Sequence, residues 1–131
     1  MNKEEAELVK IMINKSDQAM TDAKLLLDND SYFSAVNRIY YSCFYLITAL
    51  LASRNLFVKT HTGTKTLFNL HFIKSNILPY SFSDFYAFLF DKRLEGDYGG
   101  FETFSGDEIS SIYSEALQFN NDIKQLIQAN S

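Results

Sequence analysis

The segment Asp91-Lys92-Arg93-Leu94-Glu95-Gly96-Asp97-Tyr98-Gly99-Gly100 concentrates side chains that can handle a phosphate. A guanidinium at Arg93 can hold two phosphate oxygens at once, Lys92 adds a point charge, and glycine backbone allows a ligand to approach closely. Asp97 and Tyr98 follow with a carboxylate and a phenol, so Arg93, Asp97 and Tyr98 form the candidate catalytic set. The same residues admit a plainer reading. Lys92 and Arg93 would close a helix against its dipole, and Gly96 would take a left-handed cap. Spacing alone leaves both readings open.

A second group lies around His61, flanked by Lys59 and Lys65 at a predicted helix start, where free amides favour an anion. The alternative is that Thr60, His61 or Thr62 simply caps the helix. Arg38, Lys59, His61, Lys65 and Lys92 are the candidate phosphate- or RNA-binding residues. No metal site is expected, because the two histidines, His61 and His71, lie ten residues apart on a helix that would not aim both rings at one ion. The phosphate loop GxxxxGK[ST], HExxH, CxxC and GxSxG are all missing, which sets those enzyme classes aside. Gly99-Gly100 lacks the preceding strand and the spacing of a dinucleotide fingerprint, and no cofactor is expected.

Charge is segregated along the chain. From Ser31 to Ser83 there is no Asp or Glu, while Arg38, Arg54, Lys59, Lys65 and Lys74 all fall there; from Asp84 onward nine acids face three cations. Either one bundle face complements another, or a basic patch faces phosphate. The lone Cys43 fits a reducing cytoplasm. An acidic N-terminus and an apolar run, Leu46 to Ala52, too short to span a bilayer point away from secretion and membranes.

These side chains need a scaffold, and 131 residues with 47% hydrophobic content suit one domain over 1–131. One Pro and five Gly provide too few turns for a β-sandwich, so the expected class is all-α. Helical spacing predicts a first helix over 4–28 and a second, the most apolar, from Tyr32 to Arg54. A third should run from the Thr60 region to about Ser75 and end before Pro79. Ser81 and Asp84 resemble a capping box for a fourth, ending near Arg93 or Glu95. Ser105 and Glu108 form a capping box for a fifth, through Ile109 to Ile127. Short links imply an up-and-down antiparallel four-helix bundle with an additional short helix. Twenty aromatics, with Tyr32, Tyr40, Tyr41 and Tyr45 able to keep hydroxyls at a wet boundary, suggest a homodimer face.

Four segments in order, Ala35-x-Asn37-Arg38-x-Tyr40-Tyr41-x-x-Phe44, Lys59-Thr60-His61-Thr62-Gly63, Leu67-Phe68-x-x-His71-Phe72 and Arg93-x-Glu95-Gly96-Asp97-Tyr98, resemble the short stand-alone HEPN proteins of bacteria and archaea. The resemblance covers nearly the whole chain. It implies a HEPN bundle, a two-fold homodimer, and pairing with a minimal nucleotidyltransferase as toxin and antitoxin. Many HEPN domains are metal-independent ribonucleases in which an arginine holds the scissile phosphate. A histidine a few residues later assists proton transfer as the 2′-hydroxyl attacks. Arg93 matches that arginine, but no histidine follows it, and Tyr98 stands in its place. A phenol with a pKa of ~10 is a poor base near neutrality, although it can donate a hydrogen bond to phosphate. The readings are therefore an RNA-directed toxin with an Arg93/Asp97/Tyr98 cleft at a dimer interface, His61 supplying proton transfer, or a non-catalytic module. The latter would bind nucleotide, RNA or a protein partner, or only dimerise.

Overall fold

The computed structural model describes residues 1–97 and 104–129, and for 95–97 the backbone path only. Its elements are α1 (Lys3–Asp28), α2 (Tyr32–Ser53), α3 (His61–Phe68) continued by a π-helical turn (Asn69–Ile73), α4 (Tyr80–Asp97) and α5 (Gly106–Gln128). The expected all-α, up-and-down four-helix bundle is what forms. Of the two long helices beyond the α1/α2 hairpin, α4 packs on α2 and α5 on both α2 and α1, and α3 is the additional short helix in the α2–α4 connection.

The helices start and stop where local chemistry satisfies their end groups. Asn2 caps α1 by accepting from the Glu5 amide at 2.8 Å, and the expected Ser105/Glu108 capping box opens α5. Two helix ends are closed by left-handed residues that are not glycine. After α1, Asp30 (φ 59°) lets Ser31 N–H donate to the Leu26 carbonyl at 2.8 Å; after α2, Asn55 (φ 62°) lets Leu56 N–H donate to Leu51 at 2.9 Å. Both are Schellman closures, and a short polar side chain tolerates the left-handed backbone better than a branched one.

Two boundaries differ from expectation. The third helix does not continue as an α-helix to Ser75: at Asn69 it widens into a π turn, with Lys74 N–H donating to the Asn69 carbonyl at 2.9 Å. The inserted residue lets consecutive Phe72 and Ile73 both enter the core. The fourth helix starts at Tyr80, directly after Pro79, so Ser81 is already helical and the Ser81/Asp84 capping box does not form. Proline's fixed φ pre-sets the entry, and its carbonyl accepts from Phe82 N–H at 3.1 Å.

α2 is the spine, with Ala35, Ile39, Tyr40, Cys43, Leu46, Ile47 and Leu50 fully buried. By length and composition it could cross a membrane, but 67% of its apolar window is buried inside the bundle, so its apolar surface is used by the other helices. One polar cluster crosses this core. Asn120 of α5 donates to Ser42 Oγ of α2 at 2.7 Å, and Ser42 and Ser16 of α1 share a hydrogen bond at 3.2 Å. The cluster fixes the register of three helices, because a slip would strand these groups without partners in an apolar interior. Ser42→Ala should cost about 1–3 kcal/mol, read from urea unfolding, and Asn120→Ala in the Ser42→Ala background should add less than it does alone.

Candidate phosphate-binding cleft

Three helices bring the basic residues together. Leu26 at the end of α1, Phe33, Ser34, Asn37 and Arg38 in the first turns of α2, and Lys92 and Arg93 on α4 line a cleft of about 450 Å³. Three of its seven lining residues are cationic and none of these described residues is acidic. Arg38 is oriented by its neighbour, since its Nε and Nη2 donate to Asn37 Oδ1 at 3.2 and 3.0 Å. Its guanidinium also lies 4.9 Å from the Tyr41 ring centroid. No carboxylate among the described residues pairs with Arg38 or with Lys65. Among the described residues, ion pairs join Lys24 to Asp28 and Lys124 to Asp17, elsewhere on the bundle.

Arg93 does not end its helix. α4 continues through Gly96 to Asp97, and its last turn holds no basic residue. The helix-cap reading of Lys92 and Arg93, with Gly96 left-handed, is thereby corrected. Residues 91–95 are adequate helix formers, and a single helical glycine costs only about 1 kcal/mol. Asp97 is accordingly the final helical residue rather than part of a glycine turn, and Tyr98 lies outside the described residues. Half-buried Arg93 spreads its guanidinium 5.0 Å from the Tyr40 centroid and 5.4 Å from Phe90, while Lys65 of α3 lies 4.9 Å from the same Phe90 ring. Lys92 sits over Phe88 and Phe104, at 5.6 and 5.9 Å. Such contacts favour the charged side chains without consuming their hydrogen-bond donors.

His61 joins this group through Tyr40. Thr60 caps α3 by accepting from Gly63 N–H at 2.9 Å, so the capping reading holds for Thr60 and leaves the imidazole for other contacts. His61 stacks on Phe44 with centroids 4.3 Å apart, and its Nδ1 is 2.7 Å from Tyr40 Oη. Gly63 is required here, because a Cβ would fall 2.6 Å from Val58 Cγ2 and 2.7 Å from Thr60 Oγ1. Lys59 is brought to no part of the cleft; it stays exposed on the link before α3. His71 lies in a separate hollow with Arg54, Leu56, Phe72 and Ile77, so the two histidines do not share a site.

Tyr40 corrects a sequence expectation. Rather than holding its hydroxyl at a wet boundary it is completely buried, as is Tyr86 of α4, whose hydroxyl is 3.4 Å away. Burial pushes the Tyr40 phenol up, partly offset by the Tyr86 hydrogen bond and the Arg93 charge. It pushes Tyr86 and the Cys43 thiol up much further. Sequence reasoning passed over Tyr86 and Phe90 because an aromatic stripe on a helix reads as core. The one available signal was two phenols, costly to bury unpaired, on helices expected to be neighbours.

A model of the HEPN domain matches residues 9–126. The chain belongs to the HEPN family. A UPF0332 protein of Thermotoga maritima is 34% identical over 128 residues, spanning 98% of this chain and 96% of that one. Two proteins of Methanocaldococcus jannaschii named as candidate toxins are each 29% identical, over 98% and 88% of this chain and 95% and 79% of theirs. Within this HEPN chain the family-like segments converge in space: Asn37-Arg38 and Tyr40-Tyr41, Thr60-His61 and Arg93 surround one aromatic centre.

Raised pKa values for Tyr86 and Cys43 make stability pH-dependent in one direction. Below the ordinary values, 9.0 for the thiol and 10.0 for the phenol, both states hold these protons and the contribution is full. As pH rises through them only the unfolded chain releases protons, so stability falls. Urea unfolding should give a level free energy between about pH 7 and 8.5 and a decline above about pH 9, steepening towards 1.4 kcal/mol per pH unit for each proton. Cys43→Ala and Tyr86→Phe should each flatten the decline.

Proposed function

We propose that this HEPN protein is a toxin-type RNA-binding protein that engages RNA phosphates through Arg38, Lys92 and Arg93. The observation that carries the reading is the convergence of three cations from two helices on one cleft whose described lining contains no acid. A phosphate fits this arrangement because the guanidinium groups are planar donors held beside aromatic rings, Arg38 4.9 Å from the Tyr41 centroid and Arg93 5.0 Å from that of Tyr40. The overall net charge of −4 opposes a non-specific hold on nucleic acid, so affinity has to come from this local patch. Asp97 and Tyr98 stand four and five residues beyond Arg93 and belong with it in the proposed site.

Two further elements belong to the proposal. The protein acts as a homodimer that sets two such clefts side by side, a use for exposed Phe33 at the cleft edge. A minimal nucleotidyltransferase is its antitoxin partner in the cytoplasm. Support comes from the relatives named as candidate toxins and from family membership. The second reading, a non-catalytic nucleotide- or partner-binding module, is favoured by one observation: no histidine follows Arg93. Binding needs the cations but no general base.

Fluorescence anisotropy with a short labelled single-stranded RNA separates these readings from a purely structural bundle. Arg93→Ala and Arg38→Ala should each weaken binding about tenfold, roughly 1.4 kcal/mol, and reduce the salt dependence, whereas Lys59→Ala should leave it unchanged. Binding indifferent to both arginines would remove the cleft from the function. RNA cleavage without added metal, and growth arrest on expression, each lost with Arg93→Ala, would select the toxin reading over the binding module.

A further inference from the structure

Two hollows of about 430 and 170 Å³ share Ser81, Phe85 and Glu115 and form one groove between α4 and α5. Both helices are held by α2, α4 also by the π turn and α5 also by α1, and the groove lies between them. Its floor is aromatic. Phe119 of α5 meets Phe82 and Phe85 of α4 with centroids 5.2 and 5.6 Å apart, and Phe88, 39% exposed, and half-buried Ile112 extend the apolar surface. Its rim is acidic, with Asp84 on α4 and Glu115 and Asp122 on α5. None of the described lining residues is a cation, and among the described residues no cation pairs with Asp84 or Glu115. Asp122 accepts from Gln118 Nε2 at 3.1 Å, a neutral donor that leaves the carboxylate charge in place. Lys124, the one lysine of α5, reaches the other way and pairs with Asp17 of α1. Lys92 stands at the end of the groove nearest the cleft, over Phe88 at 5.6 Å.

We propose that this groove docks a basic amphipathic helix from a partner protein. Among the described residues, Asp84, Glu115 and Asp122 form no group that could hold a metal ion, so they flank a long ligand rather than chelate a small one. At 1.5 Å per residue, Ile112 to Asp122 runs roughly 15 Å along α5, the length of about ten helical residues. An extended segment in that trough would bring its backbone N–H and C=O groups against aromatic rings with no strand edge to pair with, since the described residues form no strand. A helix satisfies those groups internally and offers an apolar stripe to Phe88 and Ile112. Its flanking side chains then reach opposite rims, Asp84 on one side and Glu115 and Asp122 on the other, which selects Lys or Arg on both flanks. A second copy of this chain supplies no such helix. α1 has four lysines against six acids, α4 two cations against four acids and α5 one lysine against four acids. α3 is eight residues long with one lysine, and the apolar face of α2 is buried in its own bundle. The groove shares no described lining residue with the phosphate-binding cleft, so the inference does not depend on RNA binding.

The probe is a fluorescein-labelled synthetic peptide of about 14 residues, with leucines at helical spacing and lysines on both flanks, titrated into the full chain. The controls are a peptide with the same leucines and glutamates for the lysines, and one with the lysine peptide's composition in scrambled order. The lysine peptide should bind about tenfold or more tighter than either control and become helical on binding, read by circular dichroism. It should also shift the amide resonances of Asp84, Phe88, Ile112 and Glu115. Asp84→Lys and Glu115→Lys should each weaken its binding about tenfold, while Asp22→Lys on α1, an acid outside the groove, should leave it unchanged. Asp84→Asn/Glu115→Gln, which removes both charges at constant shape, guards against a folding defect: it should weaken the peptide several-fold at an unchanged melting temperature. Equal binding of the scrambled peptide, indifference to both charge reversals, or an equal loss with Asp22→Lys would reduce the effect to net charge and overturn the site. Peptide bound without gaining helix would overturn the helical occupant. Self-association of the wild-type chain that Asp84→Lys abolishes would put a second copy in the groove and overturn the partner reading.

Discussion

A phenol with no access to water must find its hydrogen-bond partners inside the protein, and the structure around Tyr40 is organised by that requirement. Its hydroxyl holds His61 at the start of α3 and meets Tyr86 on α4, and its ring supports Arg93 one helical stretch further along α4. Two helices, α3 and α4, are thereby pinned to the spine at one point, with polar groups that would be costly to leave unpaired. The short α3 depends on this, since an eight-residue helix has little stability of its own and needs tertiary anchors.

The anchor also explains why cations can gather on this face. Like charges placed together repel, and here the repulsion is offset by aromatic faces: Arg38 on Tyr41, Arg93 on Tyr40 and Phe90, Lys65 on Phe90 and Lys92 on Phe88 and Phe104. A ring attracts a cation by its quadrupole yet accepts no strong hydrogen bond, so these contacts stabilise the charge without setting where the N–H groups donate. The high aromatic content of the chain is thus divided between packing the core and carrying charge beside it.

Opposite Tyr40 on the spine, Ser42 performs a related task towards α1 and α5 through Ser16 and Asn120. Both centres are polar, buried and shared among three helices, and they face different neighbours of α2. Together they define a single register for a bundle whose remaining contacts, largely Leu, Ile, Ala and Phe, would tolerate sliding.

Much of the architecture follows from the order of residues alone. Apolar spacing marks the helices, Ser105 and Glu108 mark the start of α5, and Pro79 separates α3 from α4, because these signals act through the backbone within a few residues. The candidate residues Arg38, His61, Lys65, Lys92 and Arg93 were legible as residue types with phosphate chemistry. Sequence could not show that they meet while Lys59 does not, since that depends on the angle at which α3 and α4 cross the spine. Nor could it show that α4 runs past Arg93 to Asp97, or that the third helix widens at Asn69, because tertiary packing of Phe72 and Ile73 outweighs a small local cost. The burial of Tyr40 against Tyr86 was decided only in three dimensions: two phenols far apart in the chain become partners when the helices bearing them exclude water from both.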